Sequence, residues 1–157
     1  MACRFTDTLK WGDSWFVELT KNQKLLFLYL CDNCDIAGFF EVAPKKICIE
    51  LDFTMADFKG AFKGLERGLI WSADGSVVYL RTFLKNQKNL PLNEANKAHK
   101  GILSRFQKYA PKFDLFLLSD TLQIDFFELL HLNSSTYRQA PSKGLGRGLE
   151  GASKGLW

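Results

Sequence analysis

The sequence predicts an α+β fold that is mostly helical, with one small antiparallel sheet. Three observations carry this. In residues 54–70, TMADFKGAFKGLERGLI, apolar Met55, Phe58, Phe62, Leu65 and Leu69 recur at helical spacing on one face. The spacing returns from Glu94, with Ala95, His99, Ile102, Leu103, Phe106 and Tyr109 on one side and Lys97, Lys100, Ser104 and Lys108 opposite. Between these helices, LIWS and SVVYLRTFL flank Ala73-Asp74-Gly75, and Asp-Gly between apolar runs is a strong hairpin signal.

Taken in order, the elements build a recognisable arrangement. A chain of 157 residues can bury one sizeable core. RFTDTLKWGDSWFVEL opens it with Trp11, Trp15 and Phe16 around Asp13, a residue able to cap a short helical turn and so dock the aromatic bulk on the core. Thr20 then starts a helix whose apolar residues from Leu25 to Cys31 cover most of its circumference, as a central helix requires. Gly38 breaks that pattern, and Phe39 to Val42 form a short edge strand. Pro44 suits the first turn of PKKICIEL, because a proline's missing N–H costs nothing there. Thr54 with Asp57 three residues on gives a capping box for the next helix. The order is helix, strand, helix, helix, strand, turn, strand, which is that of a winged helix-turn-helix.

Beyond it, Asn93 is expected to cap the second amphipathic helix. Residues 114–132, rich in Leu and Phe, are expected to add one or two short helices capped by Ser119 or Asp120. From residue 134 the chain is rich in Gly, Ser and Lys, and SKGL occurs at Ser142 and Ser153, so it reads as a flexible tail. The expected division is 1–90 winged helix with an N-terminal aromatic arm, 91–133 helical extension, and 134–157 tail.

The net charge of +4 is unevenly spread. Residues 1–53 carry 6 basic and 8 acidic side chains, residues 54–113 carry 11 and 4, and residues 114–157 carry 4 and 5. The middle of the chain is therefore strongly positive between slightly negative flanks, which points to an anionic partner. The longest apolar runs fall short of the roughly 20 residues of a membrane span. The first twenty residues lack the apolar core of a signal peptide, so a cytoplasmic location is expected. Cys31 and Cys34 form a C-x-x-C, but no second close pair accompanies them and His99 and His131 are distant, so buried reduced thiols are expected and no metal or other cofactor is implied. Phosphate-loop and zinc-protease motifs are absent, and no acid and base pair suggests an enzyme.

KLLFLYLCDNCDIAGFFEV, the helix from Thr54 with its hairpin, and FLKNQKNLPLNEANKAHKGIL, with Asn93, Asn96 and His99 as N-x-x-N-x-x-H, together resemble the N-terminal winged-helix domain of phage replication initiation proteins, the replisome organisers. These pieces span most of residues 11–105. The resemblance implies binding to origin DNA and contact with the replicative helicase or its loader. A winged-helix transcriptional regulator, or a replisome interaction module without its own DNA contact, are the alternatives. A homodimer through the N-terminus or residues 114–132 would suit a repeat-containing origin.

In a winged helix, the helix before the hairpin faces the major groove. Lys59, Lys63 and Arg67 at i, i+4, i+8 would then meet phosphates, although three such residues also describe an ordinary solvated face. Gly60 and Gly64 in the helix interior each cost roughly 1 kcal/mol against Ala. With Ala56 they make a smooth strip that admits either DNA or a neighbouring helix. Thr54 and Lys59 lie nearest the end that enters the groove, and Ser76 at the hairpin tip could lie along the backbone, with Asp74 opposing it. Lys97, Lys100, Arg105 and Lys108 are secondary candidates, and His99, Asn93 and Asn96 are expected to be packed, capping and turn residues. Few base-edge readers are present, so sequence-tolerant binding to double-stranded DNA is expected.

Overall fold

The computed structural model describes residues 3–130; His131 and the tail expected at residues 134–157 lie outside the described residues. A 3-10 turn at Thr8–Gly12 leads into α1 (Ser14–Glu18), where Asp13 accepts the Trp15 and Phe16 backbone N–H groups as a cap. Helix α2 (Lys21–Asn33) begins at Thr20 with a full capping box to Gln23. Gly38, at φ 100°, turns the chain into β1 (Phe39–Glu41), a conformation that favours a residue without Cβ. Helix α3 (Pro44–Leu51) has Pro at its first position and ends at left-handed Asp52. Helix α4 (Met55–Gly64) follows, with the expected box between Thr54 and Asp57.

Several boundaries differ from the sequence reading. Helix α4 stops at Gly64, and Glu66–Gly68 form a 3-10 turn into β2 (Leu69–Trp71). The reason is tertiary: Leu69 must pair with Leu80, and a Cβ on Gly68 would lie 2.8 Å from the Trp15 ring. Strand β3 (Val77–Leu80) closes the hairpin, and α5 (Phe83–Asn86) follows it, an element the period-two pattern concealed. The second amphipathic helix, α6 (Lys97–Tyr109), is capped by Asn96 and not Asn93. Asn93 instead closes the preceding turn: its side chain accepts from the Ala95 N–H and its own N–H donates to His99 Nδ1, each at 2.9 Å. The N-x-x-N-x-x-H pattern is thus a local cap-and-turn device. A further 3-10 turn precedes α7 (Leu115–Leu122), and α8 (Phe126–Leu129) comes last. Asp114 and Asp125 cap these two, in place of Ser119 or Asp120, because each carboxylate reaches two N–H groups of its following turn.

The sheet is antiparallel in order β1-β3-β2, so β1 is an edge strand as expected. Register places Phe39, Tyr79 and Ile70 on one face, and Phe40, Val78 and Trp71 on the other. Helices α2 and α4 cover the second face, where Tyr29 meets Phe40 and Phe62 meets Trp71 at ring distances of 5.9 and 5.0 Å. The first face is covered by α6 and α8: Phe106 lies 5.0 Å from Phe39 and stacks on Phe126 at 4.4 Å. Every residue of β2 and β3 is buried for this reason. One hydrophobic cluster runs from Phe16 to Leu130, crossing the division expected at residue 90.

Candidate nucleic-acid interface

Helix α4 buries Phe58, Ala61 and Phe62 and leaves Ala56, Lys59, Gly60 and Lys63 exposed. These four sit at i, i+3, i+4 and i+7 and form one continuous stripe. The two glycines have separate roles. A Cβ on Gly64 would lie 1.9 Å from Gln23 Nε2, so this residue admits α2; a Cβ on Gly60 would meet nothing within 4 Å. Close helix packing therefore explains Gly64, whereas nothing within the described chain requires Gly60. Replacing Gly60 by Ala is expected to raise stability by about 0.5–1 kcal/mol in urea unfolding, while Gly64→Ala, which displaces a Gln23 amide already bound to the Thr20 N–H, is expected to yield no gain.

The N-terminal turn of α4 is an anionic place. Thr54 Oγ1 donates to Asp57 Oδ2 at 2.6 Å and accepts the Asp57 N–H at 3.1 Å, so its hydroxyl is engaged in capping. Hydrogen bonds from the Thr54 hydroxyl and backbone hold the Asp57 carboxyl below its ordinary range, and Asn22 Nδ2 also donates to it at 3.2 Å. The cationic part of the stripe thus lies further along the helix, at Lys59 and Lys63. Arg67 does not continue it, because α4 has already ended; it lies in the 3-10 turn, lining a cavity against the N-terminal arm.

Ser76 is held within the chain. Its hydroxyl donates to Asp74 Oδ1 at 2.7 Å and accepts from Lys112 Nζ at 3.0 Å, and Lys112 pairs with Asp74 at 3.2 Å. The Ala73 N–H donates to the Lys112 carbonyl, so the chain after α6 clamps the hairpin turn. Lys112 was not singled out from the sequence, where only its basic character signalled it. Burial alone would raise the Asp74 carboxyl, but hydrogen bonds from Ser72, Ser76 and Lys112 outweigh it and hold the group far below the usual carboxylate range. A depressed folded-state value contributes stability above the unfolded value of about 3.9, lost as pH falls further. Asp74→Asn is therefore expected to lower the thermal midpoint at pH 7, by a margin that narrows below about pH 4.

The secondary candidates divide. Lys97 and Lys100 are exposed on α6. Arg105 lies 3.8 Å from Asp35, and Lys108 pairs with Glu41 at 3.1 Å, so their charge is partly answered within the chain. Lys45, Lys46 and Lys21 are further exposed cations, at the first turns of α3 and α2, with Lys46 lying 3.8 Å from Glu50. His99 is half-buried and accepts the Asn93 N–H, the packed role expected of it. Burial pushes the Cys31 thiol up to about 11 and that of Cys34 up to about 12, so both stay protonated at neutral pH. Among the described residues no three His, Cys, Asp or Glu side chains gather as a metal site, and no helix is long and apolar enough to cross a membrane.

Comparison with models of protein families, with curated proteins and with solved structures finds no match to this chain.

Proposed function

We propose that residues 1–90 are a winged helix-turn-helix with an N-terminal aromatic arm, that they lay α4 along the major groove of double-stranded DNA with little regard for sequence, and that the protein is a phage or prophage replication initiation factor acting at origin DNA. The observation that carries this is the exposed stripe of Ala56, Lys59, Gly60 and Lys63. Two lysines flank a position where a backbone can approach closely, and the open glycine has no packing reason of its own. The element order and the β1-β3-β2 sheet support the winged-helix reading. The resemblance of residues 11–105 to replisome organisers favours replication over transcription.

Lysine recognises phosphate as a point charge, so affinity comes chiefly from released counterions. Thr54 contributes by capping the helix, and Ser76 by shaping a turn whose own carboxylate keeps it off the backbone. The test is a gel-shift titration at several salt concentrations with random duplex, single strand and the DNA around the protein's own gene. Steep weakening with salt and preference for the last supports the reading. Binding that salt barely moves belongs to a protein contact and overturns it. Exposed Phe5, Leu9 and Trp11 on the N-terminal arm, at 67, 81 and 58% of full exposure, are where a helicase, a loader or a second copy would be sought.

A further inference from the structure

A second feature lies at the end of the sheet opposite the hairpin turn. There the N-terminal arm and α5 enclose a cavity of about 440 Å³, partly open to solvent. Arg4, Lys10, Arg67, Arg81 and Lys85 line it, against three carboxylates, Asp7, Asp13 and Asp32. Asp7 and Asp13 each commit an oxygen to helix capping, and none of the five cations forms an ion pair among the described residues. The Arg4 guanidinium donates through Nη2 to the Cys34 carbonyl at 2.6 Å and lies 5.3 Å from the centre of the Phe83 ring, while its Nε is buried without an acceptor. The Trp15 ring, half-buried, also lines the cavity, brought close to the chain by the absence of a side chain at Gly68. The arm that forms one wall is fixed by a paired amide contact: the Phe5 N–H donates to Gln87 Oε1 at 3.0 Å and Gln87 Nε2 to the Phe5 carbonyl at 2.8 Å.

We propose that this cavity binds a nucleoside phosphate, with its phosphates on Arg67, Arg81 and Lys85 and its base against Trp15. The volume suits a small organic ligand, five cations against three carboxylates leave a net positive lining that favours an anion even with Arg4 and Arg81 each donating to a backbone carbonyl, and Trp15 supplies an aromatic group in the wall for a base. Inorganic phosphate would use the cations but leave the aromatic wall empty. A free nucleotide and an unpaired nucleotide at a strand terminus offer the same chemistry.

Isothermal titration calorimetry of the full chain with ATP, adenosine, inorganic phosphate and 5′-phosphorylated thymidine trinucleotide tests this, with Trp fluorescence as a second readout. Saturable binding of one ATP or one trinucleotide per chain is expected, at least tenfold tighter than adenosine or phosphate, and the tighter of the two identifies the source. The double variant Arg67→Gln/Lys85→Gln, both exposed and not engaged in the core, is expected to weaken it tenfold or more with an unchanged thermal midpoint. Lys59→Glu/Lys63→Glu is expected to leave it unaltered, so this site and the duplex-binding face fail separately. Absence of saturable binding, equal binding of phosphate and ATP, or binding that survives the cavity variant overturns the proposal.

Discussion

Lys59→Glu/Lys63→Glu is expected to weaken binding to any duplex by about 60-fold or more at 0.1 M salt, with folding unaffected. The figure follows from counterion release: each neutralised phosphate contributes a slope of about 0.9 to log K against log salt, or about eightfold at that concentration. Removing two contacts multiplies to the stated loss, and reversed charge adds repulsion. With Lys→Ala at both positions, the salt slope itself should fall by about 1.8. Both side chains are exposed on α4, so circular dichroism and the urea midpoint should match those of the parent. Equal affinity and slope in the parent and both variants would remove α4 from the interface. A companion variant sharpens the assignment: Gly60→Ala is expected to be more stable yet bind duplex less well, a combination that a merely solvated helix face would not produce.

How much of this was legible in the sequence depends on the range of the interaction that decides it. Capping at Thr20, Thr54 and Asp13 involves side chains and N–H groups within three residues, so the residue types sufficed. Asn96 and Asn93 are both local, yet exchange their expected roles, because each can accept from the N–H two residues on and only the His99 contact distinguishes them. The end of α4 was hidden for a different reason. Residues 54–70 keep helical periodicity to Leu69, and the helix stops only because Leu69 has a strand partner eleven residues on and Gly68 has an indole against it. That one tertiary fact moves Arg67 from the lysine stripe to the cavity. Gly60 and Gly64 likewise look alike in sequence, and only the position of Gln23 separates them.

Phe39→Ala is expected to be the most destabilising single change, costing about 3–5 kcal/mol in urea unfolding. Its ring, 2% exposed, lies between the sheet and the C-terminal helices, 4.9 Å from Tyr79, 4.7 Å from Tyr109 and 5.3 Å from Phe113. Truncation removes the burial of a large apolar group and leaves a cavity lined by rigid rings that cannot collapse into it. Against a total stability of about 5–15 kcal/mol for a domain, such a loss brings the chain near unfolding. The same geometry makes a stronger demand. A fragment ending at residue 96 would lose α6, α7 and α8 and uncover Phe39, Tyr79 and Ile70 together, and it would also lose the Lys112 clamp on the hairpin turn. Such a fragment is expected to unfold without cooperativity and to bind a hydrophobic dye, whereas a self-sufficient winged helix ending near residue 90 would give a sharp urea transition. A sharp transition in the fragment would mean that the C-terminal helices rest on the sheet without holding it together, and that the proposed duplex-binding face can be studied apart from them.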